Sequence, residues 1–219
     1  MKRSLLAGLL AAALFHPLAN AGDLSRYRLT LPAGAGPREE GGAIVFSNAA
    51  AAEVRVGALV VALDPAGKVS PSADLVLLSR PDQGMPDTGQ ATPVVAPAGM
   101  APVPGHARVY ALHTWQALTV RKGATRLRIT ALPDPRGVGA SPAALTVMLD
   151  FGAACRILVH GETLALREIE SIPRHFPGAR LALLRDEGAA VLLTVDGDQA
   201  TLRHGLRDEA YRFGTPSCR

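Results

Sequence analysis

The chain has 219 residues, a formal net charge of +4, two cysteines, 48% hydrophobic residues and 4% aromatic residues. That length fits one domain of about 100–200 residues or two small ones, and the high apolar fraction with low charge excludes disorder throughout. No apolar run reaches the roughly 18–20 residues that a membrane-spanning helix needs.

The first 21 residues read as an export signal. Lys2 and Arg3 form a positive start, Leu5 to Phe15 an apolar core, and Ala19-Asn20-Ala21 the small-x-small pattern that precedes cleavage. Cleavage there makes Gly22 the new N-terminus and implies a periplasmic or secreted protein with no transmembrane segment left. Without Lys2 and Arg3 the chain keeps 21 basic against 19 acidic residues, a net of +2. No Lys/Arg stripe with interleaved aromatics runs along it, so no nucleic-acid partner is expected.

The remainder predicts a mainly β fold, β-sandwich-like, with one short helix near 163–172. Tyr27 to Leu31 alternates as a first strand and Ala43 to Phe46 forms a second. Glu53 to Leu63 reads as one longer strand ending at a turn, Asp64-Pro65-Ala66-Gly67, and Asp74 to Leu78 as its hairpin return. Residues 81–105 hold prolines 81, 86, 93, 97, 102 and 104, which predicts a long loop within a single domain spanning 22–219. The alternative is a linker between two small domains, 22–80 and 106–219.

Arg108 to Trp115, Ala117 to Val120 and Arg126 to Ala131 read as strands, with Val109, Ala111, His113 and Trp115 on one face. Ala144 to Phe151 and Cys155 to His160 are two more apolar runs. The helix near 163–172 takes Thr163 as its N-cap, has Leu166 and Ile169 on one stripe, and stops at Pro173. Ala179 to Leu184 and Ala190 to Val195 form a closing pair around Asp186-Glu187-Gly188. Cys155 and Cys218, with no C-x-x-C and no ligand-spaced partner, are expected to form one structural disulfide.

Local catalytic signatures are absent: no G-x-S-x-G, Walker loop, G-x-G-x-x-G or H-E-x-x-H occurs. His160-Gly161-Glu162 has the first half of a zinc-deaminase pattern without its cysteines, and Asp196-Gly197-Asp198 lacks the remaining ligands of a calcium loop. No cofactor, metal or catalytic residue is assigned on this basis. His106, His113 and Trp115 stand as candidate binding residues beside the proline-rich segment, since long loops on rigid scaffolds often carry sites.

Val54 to Leu63, followed by Gly67-Lys68-Val69, Ala73-Asp74-Leu75-Val76 and Pro81, resembles the tellurium-resistance TerD family over about residues 54–90. The resemblance implies a β-sandwich linked to stress responses, with a calcium site in the family. Arg55, Gly57 and Gln90 stand where the family has acidic ligands, so the resemblance implies the fold without the metal; Asp74 is the one acid kept. The sequence therefore predicts an exported binding or structural protein of the cell envelope, non-enzymatic. Two alternatives are an accessory subunit of a secretion or pilus-type assembly, partnering another envelope protein, and a hydrolase with its site near 81–105.

Overall fold

The computed structural model describes residues 27–33, 41–46, 51–88, 92–100, 108–137, 144–152, 155–197, 199–203, 210–214 and 218. The expected export signal at 1–21 and the candidate His106 lie outside the described residues. The described residues form two sheets. One runs, in spatial order, β1 (Arg28–Leu31), β8 (Ala117–Lys122), β9 (Thr125–Leu132), β10 (Thr146–Asp150), β11 (Arg156–Thr163), β12 (Leu181–Asp186), β13 (Ala189–Asp196) and β14 (Gln199–Arg203). The other runs β15 (Ala210–Phe213), β2 (Gly42–Phe46), β3 (Ala52–Val56), β4 (Leu59–Leu63), β5 (Leu75–Leu77), β6 (Val94–Pro97) and β7 (Val109–Leu112). The fold is mainly β, as expected, with a single helix among the described residues.

Strand alternation builds the core between the sheets. In β9, Leu127, Ile129 and Ala131 point inward while Arg126 and Arg128 are exposed, and Leu118 and Val120 of β8 join the same core. Ile44, Val54, Leu59 and Val61 meet them from the opposing sheet. A second apolar cluster lies on the outer face of the first sheet. There α1 (Leu166–His175) connects the parallel strands β11 and β12 and sets Ile172 among Leu158, Ala182, Leu184 and Leu193, with Phe176 just past its end.

Three expectations are corrected. Glu53 to Leu63 is two strands, because Gly57 at φ 56° makes a tight turn between β3 and β4. Asp74 to Leu78 is no hairpin return, since β5 lies parallel to β4. The helix does not start at Thr163, which ends β11 opposite Arg185; Glu168 instead takes the Ala165 N–H at 2.6 Å and fixes the start two residues later. It also runs through Pro173 to His175 rather than stopping there.

The proline-rich segment 81–105 is not a continuous loop either. A short 3-10 turn at Pro81–Gln83 is followed by β6, which pairs in parallel with both β5 and β7. Its prolines fall where no ladder donor is needed. Pro93, just before the strand, accepts from Val76 N–H at 3.0 Å, and Pro97 closes it. The outer face of these strands is covered in turn: Ala62, Val76, Leu78, Val94 and Ala96 pack with Val69, Met85 and Met100 from the connections.

Cys155 and Cys218 are disulfide-bonded, as expected, with Cα atoms 4.8 Å apart and both side chains buried in the inter-sheet core. The bridge spans a sequence separation of 63 residues, for which loop entropy sets an upper figure of about 4 kcal/mol. Reduction, or the Cys155→Ser/Cys218→Ser pair, is expected to lower unfolding free energy by up to about that amount in denaturant titrations.

Candidate functional site

Buried strands carry polar side chains at one end of the sandwich. Asp64 follows β4 and Ser79 lies just past β5, so both stand at the carboxyl ends of parallel strands, where crevices form in open parallel sheets. Asp64 holds φ 45°, a left-handed conformation that aspartate tolerates better than most residues. Its carboxylate accepts the Ser79 N–H at 2.6 Å and the Ser79 hydroxyl, and Arg185 of β12 in the other sheet reaches it at 3.3 Å. Asp64, Ser79 and Arg185 are all buried. Gly161 of β11 presses on the group, since a Cβ there would lie 2.5 Å from Ser79 Oγ and 2.6 Å from Ser79 O. The cluster is closed by backbone as well as by charge.

His160, also buried, hydrogen-bonds through Nδ1 to Thr146 Oγ1 at 2.8 Å, while its Nε2 has no partner among the described residues. It lines a small hollow of about 20 Å³ together with Asp64 and Arg185. Nearby, Arg136 ties Asp134 at 2.6 Å and Glu162 at 2.5 Å. Burial pushes the Asp134 carboxyl up, but the hydrogen bonds from Arg136 outweigh it and hold Asp134 below the ordinary carboxylate value. Each of these carboxylates therefore has a guanidinium where a cation would have to sit. Among the described residues no three His, Cys, Asp or Glu side chains gather to hold a metal ion. Asp74, the acid shared with the TerD pattern, has both oxygens on Lys122 Nζ at 2.6 and 2.7 Å and also accepts the Val60 N–H. The donor chemistry on either side does not fit a metal.

The open surface lies elsewhere. A groove of about 550 Å³ runs across the outer face of β9 and β10, past the 133–137 turn, to the end of α1. Leu132, Met148 and Phe176 line it, with Arg128 and Arg156 as its cations and Trp115 at its rim. Trp115 is 71% exposed and holds φ 71°, an outlying backbone conformation for a bulky aromatic residue. Of the residues singled out from sequence, Trp115 and His113 do not share a strand face: β7 ends at Leu112, and both lie in the turn before β8, pinned by Gln116 N–H to His113 O at 2.9 Å. His113 lines a separate hollow beside Tyr27 and Tyr110. Sequence reasoning missed Asp64, Ser79 and Arg185; the available signal was a polar residue closing each of three apolar runs.

No protein-family model and no curated protein matches the sequence. Among solved structures the chain is similar to CmlA, a diiron β-hydroxylase from Streptomyces venezuelae, at 14% identity and TM-score 0.43, covering 65% of this chain and 34% of that one. It thus spans about a third of the hydroxylase's length. It is also similar to the metallo-β-lactamase fold protein YhfI from Bacillus subtilis (11% identity, TM-score 0.40, 61% of this chain and 67% of that one). Igni18, a metallo hydrolase from Ignicoccus hospitalis, matches at 14% identity and TM-score 0.39, over 61% of this chain and 66% of that one. Likenesses this distant bring no residue role to this chain.

Burial pushes the His160 imidazole below its ordinary value, with Arg136 adding to the shift against the opposing carboxylates of Asp134, Glu162 and Glu168. The folded state thus keeps His160 neutral at a pH where the unfolded chain takes up a proton. Its contribution to stability is complete above about pH 6.5 and declines as pH falls below that value. Denaturant titrations between about pH 7.5 and 5 should show this acid-side loss, and His160→Gln should flatten it.

Proposed function

We propose that the chain is an exported, non-enzymatic binding protein of the cell envelope, and that the groove beside Trp115 takes an elongated apolar ligand with an acidic head. The observation that carries this reading is the open apolar channel itself. Leu132, Met148 and Phe176 lie in a cavity of about 550 Å³, within the usual range of ligand pockets, about 300–1,000 Å³. Arg128 beside them makes no hydrogen bond or ion pair with a described residue and is available to a carboxylate. The backbone strain at exposed Trp115 fits a side chain held for contact with a ligand rather than for folding.

Because Trp115 is the single tryptophan of the chain, its emission reports directly on the groove. Titration with a series of straight-chain fatty acids should change that emission saturably, more tightly as the chain lengthens. Met148→Asp should weaken binding at least about tenfold by placing in the channel a charge that repels the acidic head. An unchanged spectrum, or unchanged affinity in the variant, sinks the reading.

One observation favours a second reading, hydrolysis. His160 has an unpartnered Nε2 and lines the cavity of about 20 Å³ with Asp64, room for about one water molecule that a neutral imidazole could activate. Ester, phosphoester and lactam substrates should then turn over above the blank, and His160→Gln should abolish that rate. Equal rates for both proteins exclude His160 as the base.

A further inference from the structure

The structure assigns a second surface, independent of the groove ligand: the outer face of β1, β8 and β9, which we propose docks on an anionic phospholipid bilayer. Pairing places Arg28 opposite Thr119 and Thr119 opposite Arg128, and in the next row Thr30 opposite Arg121 and Arg121 opposite Arg126. Their neighbours Leu29, Val120 and Leu127 are buried in the core, so these residues all stand on the outer side. Arg28, Arg121, Arg126 and Arg128 are exposed, and none has a hydrogen bond or ion pair with a described residue. The nearest acid in these rows, Asp150 opposite Arg128, is held by Arg156 at 2.9 Å.

This arrangement works against the fold. Arg121 and Arg126 face each other directly across an antiparallel pair, where like charges destabilise a sheet. Among the described residues nothing neutralises them, which points to a counter-charge from outside. Arginine matches phosphate, because its planar fork donates two parallel hydrogen bonds to adjacent oxygens. The threonine hydroxyls between the guanidinium groups add further donors.

The layout selects among anionic partners. The backbone positions that carry these arginines lie in rows about 5 Å apart from strand to strand and about 7 Å apart along a strand, a two-dimensional array. A bilayer presents phosphates in two dimensions, whereas single-stranded nucleic acid presents a line of phosphates and is held by several stacking aromatics. Among the described residues of this face, Trp115 alone supplies an aromatic ring. It lines the groove with Arg128 and Thr130, on the same face and beyond the arginine rows. A half-apolar indole beside cations is the composition that settles at the headgroup boundary.

The test is co-sedimentation of the chain from Gly22, the expected mature form, with vesicles of phosphatidylcholine containing one-third phosphatidylglycerol, and with pure phosphatidylcholine. Expected is binding to the anionic vesicles only, lost at about 0.5 M salt, with a blue shift of the Trp115 emission on binding. The Arg28→Gln/Arg121→Gln/Arg126→Gln variant should lose about a hundredfold in partitioning, at about fivefold per arginine. None of the three lines the groove, so fatty-acid titration of this variant separates failure of docking from failure of the groove reading. Arg126→Gln alone should raise the melting temperature slightly, which also shows that the variants fold. Equal binding to both vesicle types, no binding to either, or tighter binding of a single-stranded polynucleotide would overturn the proposal.

Discussion

A buried carboxylate ties the two layers of this sandwich together at the ends of β4 and β5. Asp64 leaves the end of β4 and accepts from Ser79 beyond β5 and from Arg185 of β12 in the opposing sheet. A buried aspartate is tolerated only when its oxygens are occupied, and here backbone, hydroxyl and guanidinium occupy them. The contact sets where the carboxyl ends of three strands meet, and β11 can approach only because residue 161 is glycine. Its chemical consequence follows directly. The place where a crevice would be expected at parallel strand ends is largely filled by internal partners, so Asp64 carries a guanidinium where a cation would be needed.

What could be read from the sequence divides along the number of buried faces. Strands with one wet side, such as β8 and β9, alternate and are legible with nearly their true bounds. So is the closing pair β12 and β13, joined through a turn at Glu187-Gly188 where both residues have positive φ. By contrast β5 and β6 are buried on both faces, and their runs Leu75–Leu77 and Val94–Pro97 show no period of two. With prolines at its borders, β6 looks like loop. Parallel pairing is equally invisible, because nothing in Asp74 to Leu78 distinguishes a return strand from a crossover.

The candidate sites divide in the same way. Trp115 stands out in a chain with a single tryptophan, but its place in a turn depends on where β7 ends. The disulfide follows from cysteine counting alone. The arginine face could not be seen, because Arg28 is some ninety residues from Arg121 in the chain and becomes its neighbour only through the parallel pairing of β1 with β8. Along the sequence these arginines are diluted by the buried leucines and valines between them; across the sheet they are contiguous.

The outer surface of the larger sheet follows from a simple mismatch of size. A single helix of 10 residues is about 10–12 Å wide with its side chains, too narrow to cover a sheet of eight strands spaced about 4.8 Å apart. Accordingly α1 shelters the apolar outer residues of β11, β12 and β13: Leu158, Ala182, Leu184 and Leu193. The strands β1, β8 and β9 lie beyond its reach and must present side chains that tolerate water. Serine, glutamate and lysine mixtures would meet that need at no electrostatic cost. The face instead carries arginine and threonine with two arginines directly opposed, and solvation alone does not account for that choice. Between the two regimes, where Leu132 and Met148 pass out from the lee of α1, the apolar groove opens beside Trp115. The groove is therefore a consequence of one short helix on a wide sheet, whereas the arginine array is a separate choice of side chains on the strands the helix leaves bare.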